Sequence, residues 1–138
     1  MTTPVTATPL YARAMRVGDL LFVSGQLPVD GSGLLYPGKV GTEVTVEQAR
    51  EAATLAASNC LDVICEALGS LDAVRGVARL GGYVAAGEGF NNAPAVVDAA
   101  SQRILDALGE RGRHARLALG VASLPLGACV EIELAVQC

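Results

Sequence analysis

The chain of 138 residues has no tryptophan, only two phenylalanines, one histidine and one lysine. Each shortage excludes something. Aromatics make up 4% of a chain that is 51% hydrophobic, so alanine, leucine and valine must build the core. That composition fits small-residue packing of helices on a sheet, and it excludes a disordered chain. A single lysine, Lys39, stands beside nine arginines in a chain of net charge −4. Nucleic-acid binding leans on clustered cations to neutralise phosphates, and this chain offers no such field. No apolar run approaches the ~18 residues of a membrane span. The N-terminus carries no basic region followed by an apolar stretch, so no signal peptide is read and a cytoplasmic location is expected. With His114 as the one histidine and no C-x-x-C pair, no metal site is expected.

What is present is modest in size. Two compact domains would each need at least ~50 residues plus a linker, so a single domain is expected. Residues 1–10 carry two prolines and read as a loose lead-in, leaving 11–138 for the domain. The four cysteines read as free thiols of a reducing compartment. Cys60 and Cys65 lie on a predicted helix about 140° apart around its axis, so they do not share a face.

The order of elements is β-β-α-β-α-β-β. Residues Ala12–Val17 and Leu20–Ser24, split by Gly18-Asp19, predict a hairpin. The stretch 28–42 is rich in glycine, proline and aspartate and reads as a long loop with a short strand at Lys39-Val40. Thr45 and Gln48 form a capping-box pattern that opens a helix closed by Gly69. Within it Val46, Ala49, Ala53, Ala56, Cys60, Ile64 and Leu68 share one stripe. A strand is expected within 73–84. A second helix follows from Pro94, ends at Gly109, and carries Val97, Ala100, Ile104 and Leu108 on its apolar side. Two strands, 115–122 and 128–136, complete the chain.

Two helices with a mixed sheet of five or six strands make an α+β sandwich with both helices on one face. Strand alternation then assigns the other face. In the last strand Val130, Ile132 and Leu134 are expected to face the helices, and Cys129, Glu131 and Glu133 the open side. In the preceding strand Leu117, Leu119 and Val121 are expected on the helix side, and Arg116, Ala118, Gly120 and Ala122 on the open side. An open face that apolar predicts an oligomer interface.

Arg116 and Glu131 thus share the open face on adjacent strands in this reading. A guanidinium fork fits a carboxylate, and a glutamate can position or deprotonate water. A cross-strand ion pair is the competing reading of the same two residues. Arg111, Arg113 and Arg116 form the one basic knot, which suits a small anion better than a polymer. His114 lies inside it, a position where a histidine is more often a surface or capping residue. Tyr11 and Ser24 flank the first hairpin, as packing groups or as cleft groups. Gly31-Ser32-Gly33 is not a phosphate cradle, because no strand and helix bracket it. A catalytic triad is not supported, since no nucleophile motif accompanies the histidine.

The segments LLFVSGQLPVD (20–30) and HARLALGVASLPLGACVEIE (114–133) resemble the RidA/YjgF family of small deaminases, formerly labelled the endoribonuclease L-PSP family. The resemblance runs from about Tyr11 to Val136, and the GRHAR lead-in marks a divergent subgroup. It implies a chorismate-mutase-like (YjgF-like) α+β subunit, assembled as a homotrimer with clefts at the subunit interfaces. It implies cofactor-free hydrolysis of reactive enamines and imines, such as 2-aminoacrylate, to 2-keto acids and ammonia. By the same resemblance Arg116 binds the substrate carboxylate, Glu131 is the catalytic glutamate, and Tyr11 and Ser24 shape the cleft; His114, where the family has proline, is counted with them as a substrate-binding candidate.

Two departures bear on the chemistry. The family's Pro-Ala-Arg-Ser/Thr is His114-Ala115-Arg116-Leu117 here, which loses the proline and the hydroxyl. The small polar or cysteine position two residues after the arginine is Ala118. Two other functions belong beside the hydrolase: a non-catalytic protein that binds a small carboxylate in the same cleft, and an endoribonuclease or translation inhibitor. The acidic balance counts against the last.

Overall fold

The computed structural model describes residues 10–138, so nearly all of the predicted lead-in lies outside the described residues. The capping box forms as its spacing predicts. Thr45 Oγ1 accepts from the Gln48 amide at 3.1 Å, and Gln48 Oε1 accepts from the Thr45 amide at 3.0 Å. This opens helix α1, Val46–Leu68, and Gly69 closes it in the left-handed conformation at φ 85°. Helix α2, Ala93–Leu108, starts with Pro94 in its first turn and stops at Gly109.

Five strands form the main sheet. They are β1 (Ala14–Val17), β2 (Leu20–Gln26), β5 (Gly76–Ala85), β6 (Ala115–Val121) and β7 (Val130–Gln137), in spatial order β1-β2-β7-β5-β6. All pairings are antiparallel except β5 with β6, which α2 joins as a parallel crossover. A small hairpin, β3 (Val29–Asp30) with β4 (Gly33–Leu34), sits in the long loop. The strand expected at Lys39-Val40 is absent. Val40 makes only isolated bridges to Val44 and Ala86.

Both helices cover one face of the sheet, so the α+β sandwich has the expected layers. Val23, Leu80, Val84, Ile132, Leu134 and Val136 meet Ala53, Ala56, Cys60, Ile64, Val97 and Ile104 in one core. Alanines on α1 bring its backbone close to the sheet, which is how so few aromatics suffice. Gly82 shows the same economy: a Cβ there would lie 2.5 Å from a Val97 methyl of α2.

The sheet corrects the facing of β6. Leu80 of β5 pairs with Arg116, and Gly82 pairs with Ala118. Partners in register share a face, and Leu80 and Gly82 face the helices. Arg116 and Ala118 therefore face α2, with Gly120 in the same set, while Leu117 and Leu119 stand on the open face, 38% and 43% exposed. Bulk misleads here: Ala118 is half-buried against the core, while the two leucines stand outside. Arg116 and Glu131 are also not on adjacent strands, since β5 runs between β6 and β7. Cys129 is a second correction. It is fully buried, because the alternation of β7 starts only at Val130. The open face is apolar all the same, through Met15, Phe22, Leu117, Leu119 and Ala135 rather than the small residues expected.

Candidate functional site

Four of the predicted site residues fall into two groups at opposite edges of the sheet, and the fifth, Glu131, lies on the central strand β7. On the β1/β2 side, Tyr11 and Ser24 line a cleft of ≈ 490 Å³ with Arg13, Gln26, Asn59 and Asp62. Ser24 Oγ donates to the Ala12 carbonyl at 2.7 Å, and its amide donates to Arg13 O at 2.9 Å. These bonds tie the segment carrying Tyr11 to β2. The Tyr11 ring is left exposed at the rim. Asn59 of α1 donates to the carbonyls of Leu27 and Val29, both at 2.9 Å, and fixes the far wall.

Glu131 packs from the open face of the sheet against Gly25, one of the residues lining this cleft. An added Cβ on Gly25 would sit 2.5 Å from Glu131 Oε2, so only glycine lets the carboxylate rest on the β2 backbone. Glu131 forms no ion pair among the described residues. Burial pushes its carboxyl above the ordinary glutamate value, and the charge of Glu133 pushes the same way. Glu133, two residues along the same face, goes the other way. Burial would raise it, but Arg79 Nη1 and Tyr83 Oη each donate to its Oε1 at 2.8 Å. Those bonds and the arginine's charge hold Glu133 below the ordinary value. Two carboxylates on one strand are thus shifted in opposite directions, a pattern suited to acid–base work. Sequence reasoning overlooked Arg79 and Tyr83. The alternation of Glu131-Ile132-Glu133 was a usable signal, but the long-range pairing of β5 with β7 was not.

At the β6 edge, His114 and Arg116 line a smaller cleft of ≈ 250 Å³ with Ser101, Leu105 and Arg113. Arg116 Nη1 donates to Asp98 Oδ1 at 2.7 Å and to Ser101 Oγ at 3.3 Å. His114 Nε2 lies 2.9 Å from Ser101 Oγ, and its Nδ1 lies 2.6 Å from the Gly112 carbonyl. Asp98 and Ser101 sit one helical turn apart on α2, and only the three-dimensional crossover brings them to Arg116. Within one protomer Tyr11 and Ser24 share one cleft and His114 and Arg116 the other, and Glu131 adjoins the first through Gly25. Among the described residues no group of three His, Cys, Asp or Glu side chains is arranged to hold a metal ion. No helix among them is long and apolar enough to cross a membrane.

The family model described as "YjgF/chorismate mutase-like, putative endoribonuclease" matches residues 3–137. The chain belongs to the YjgF/chorismate mutase-like family. It is 39% identical over 137 residues to Protein TCP17 of Trypanosoma cruzi, covering 97% of this chain and 86% of that one. Among solved structures it is similar to Atu1372 of Agrobacterium tumefaciens, a protein of unknown function, at 44% identity and TM-score 0.91. That match covers 94% of this chain and 83% of that chain. RidA from Psychrobacter sp. PAMC 21119 is 28% identical with TM-score 0.62, covering 96% of this family member and 91% of RidA.

Proposed function

We propose that this family member is a cytoplasmic homotrimer that hydrolyses small carboxylate-bearing imines and enamines to 2-keto acids and ammonia, without a cofactor. The observation that carries the reading is the split of the site across the sheet. A partner-free, partly desolvated Glu131 lies beside the Tyr11/Ser24 cleft, and a guanidinium already gripping a carboxylate, that of Asp98, lies at the opposite edge. A head-to-tail ring carries the β6 edge of one protomer to the β1/β2 edge of the next. The apolar open face supports such a ring, because Met15 and Phe22 are large, exposed and contiguous with the cleft.

In this mechanism Arg116 exchanges the Asp98 carboxylate for that of the substrate, a trade of like for like that costs little. Glu131 takes a proton from water, whose oxygen attacks the C=N carbon. The proton returns to nitrogen, the carbinolamine collapses, and ammonia leaves as the C=O forms. Glu131 must both take and give a proton, so a carboxyl raised toward the working pH serves better than an ordinary one. Free imines already hydrolyse in water, so positioning and electrostatics supply the rest.

The test is to generate 2-aminoacrylate enzymatically and follow ammonia and keto-acid release with and without the protein. Acceleration is expected. A ligand-induced thermal shift without acceleration would support the carboxylate-binding alternative. The net charge of −4 and single lysine speak against RNA as the substrate.

A further inference from the structure

The β6-edge cleft contains an arrangement that imine hydrolysis does not use. A carbonyl oxygen can only accept, so the 2.6 Å contact with Gly112 O puts the hydrogen on Nδ1 of His114. In the neutral ring Nε2 then carries the lone pair. The 2.9 Å contact with Ser101 is therefore the serine hydroxyl donating to the imidazole. Gly112 makes this possible. Its position is fully buried, and a Cβ there would strike the Ile104 carbonyl at 2.8 Å, so glycine lets the turn after α2 press against the helix. His114 is thereby oriented by the backbone toward a serine on the facing helix.

We infer that Ser101 and His114 form a nucleophile–base pair that takes an acyl group from small activated esters or thioesters, preferring acyl groups that end in a carboxylate. A nucleophile within hydrogen-bond reach of a base that a third group orients is the signature of covalent acyl transfer. The third group is the Gly112 carbonyl. Arg116 Nη1, 3.3 Å from Ser101 Oγ, stands close enough to stabilise negative charge that develops around the attacking oxygen. Arg113 lines the same cleft and makes no ion pair among the described residues, so its guanidinium is free to hold a terminal carboxylate.

The step balances with water as the only co-reactant. The Ser101 hydroxyl proton passes to His114 Nε2 while Oγ bonds to the acyl carbon. The bond from that carbon to the leaving oxygen or sulfur breaks, and the leaving group takes the proton. Water, deprotonated by the same Nε2, then releases the acid and restores the serine. This proposal stands on one protomer's geometry and depends neither on a trimer nor on imine chemistry.

The experiment uses the full chain with p-nitrophenyl acetate and the p-nitrophenyl monoester of succinic acid. It reads nitrophenolate release in the first turnover and maps the acyl group by peptide mass. About one equivalent per chain in a burst is expected, with the adduct on Ser101. Ser101→Ala removes the adduct, Ser101→Cys keeps it on the new thiol, and His114→Gln slows acylation about a hundredfold. Arg113→Ala erodes the preference for the succinyl ester about tenfold, the worth of one charged hydrogen bond. Circular dichroism of each variant separates lost chemistry from a lost fold. An acyl group found only on Cys65, Lys39 or the N-terminus would overturn the proposal. So would a burst that a folded Ser101→Ala variant keeps.

Discussion

The residues of the proposed cleft are distinguished less by their type than by what surrounds them. Glu131 and Glu133 have the same side chain on the same face of the same strand, yet Arg79 and Tyr83 reach only one of them. Replacing Glu131 by glutamine should lower imine turnover on the order of 10²–10⁴-fold, the usual worth of a positioned acid–base group. The same change should raise the melting temperature at neutral pH. The sign follows from linkage: the folded state holds the Glu131 proton more tightly than the unfolded chain. The wild type is therefore relatively favoured below the ordinary glutamate value and loses that advantage as pH rises through the raised folded value. Thermal melts of Glu131→Gln at acid and neutral pH check this, with the gain present only at the higher pH. Glu133 has the opposite sign, so its contribution to stability is present above the ordinary value and fades as pH falls through its lowered one. Its ion pair with Arg79 is half-exposed, and Arg79→Ala should cost about 0.2–1 kcal/mol. Arg116→Lys should impair carboxylate binding despite keeping the charge, because lysine lacks the planar fork. Calorimetric titration with a small 2-keto acid measures that loss.

Elements differ in how plainly they were written in the chain. Helix α1 was legible because cap, stripe and terminal glycine agree on one answer. Replacing Thr45 by alanine should cost about 1 kcal/mol in chemical denaturation by removing the side-chain acceptor for the Gln48 amide. Strand β7 was legible too, since Val130, Ile132, Leu134 and Val136 alternate with polar or small residues and are buried as expected. Strand β6 was not. Leu117 and Leu119 outweigh Ala118 and Gly120 in any count of hydrophobicity, yet the register with β5 turns Ala118 toward α2. The close approach of α2 to the sheet is set on another strand, at Gly82. Gly82→Ala would drive a methyl into Val97 and should cost about 1–3 kcal/mol by overpacking, measurable as a shifted denaturation midpoint. Facing in an edge strand is thus decided by its neighbour's packing, which no local pattern contains. Cys60, on the apolar stripe of α1, and Cys129 are both sealed in the core, and burial pushes both thiols upward, Cys129 to about 11. A thiol reagent should modify the exposed Cys65 and the half-buried Cys138 in the native protein. Cys60 and Cys129 should react only on unfolding.

At the scale of the molecule, the sequence carried the layer architecture, but not where the fold would place the candidate site residues. Tyr11, Ser24, Glu131, His114 and Arg116 are all lining or adjoining residues of the two clefts. What the sheet adds is their separation: β5 runs between β7 and β6, and Arg116 faces α2 while Glu131 faces the open side, so the two cannot serve one substrate within a protomer. The proposed hydrolysis therefore requires a closed ring whose clefts each draw Arg116 from one subunit and Glu131 from the next. Mixing two inactive variants tests that requirement most directly. Arg116→Ala and Glu131→Gln protomers would be co-expressed, purified as mixed assemblies, and assayed for imine hydrolysis alongside each parent. A shared cleft predicts that random mixing restores about one quarter of the wild-type activity, because a quarter of the junctions then pair an intact arginine with an intact glutamate. Mixed assemblies as inactive as both parents would contradict it.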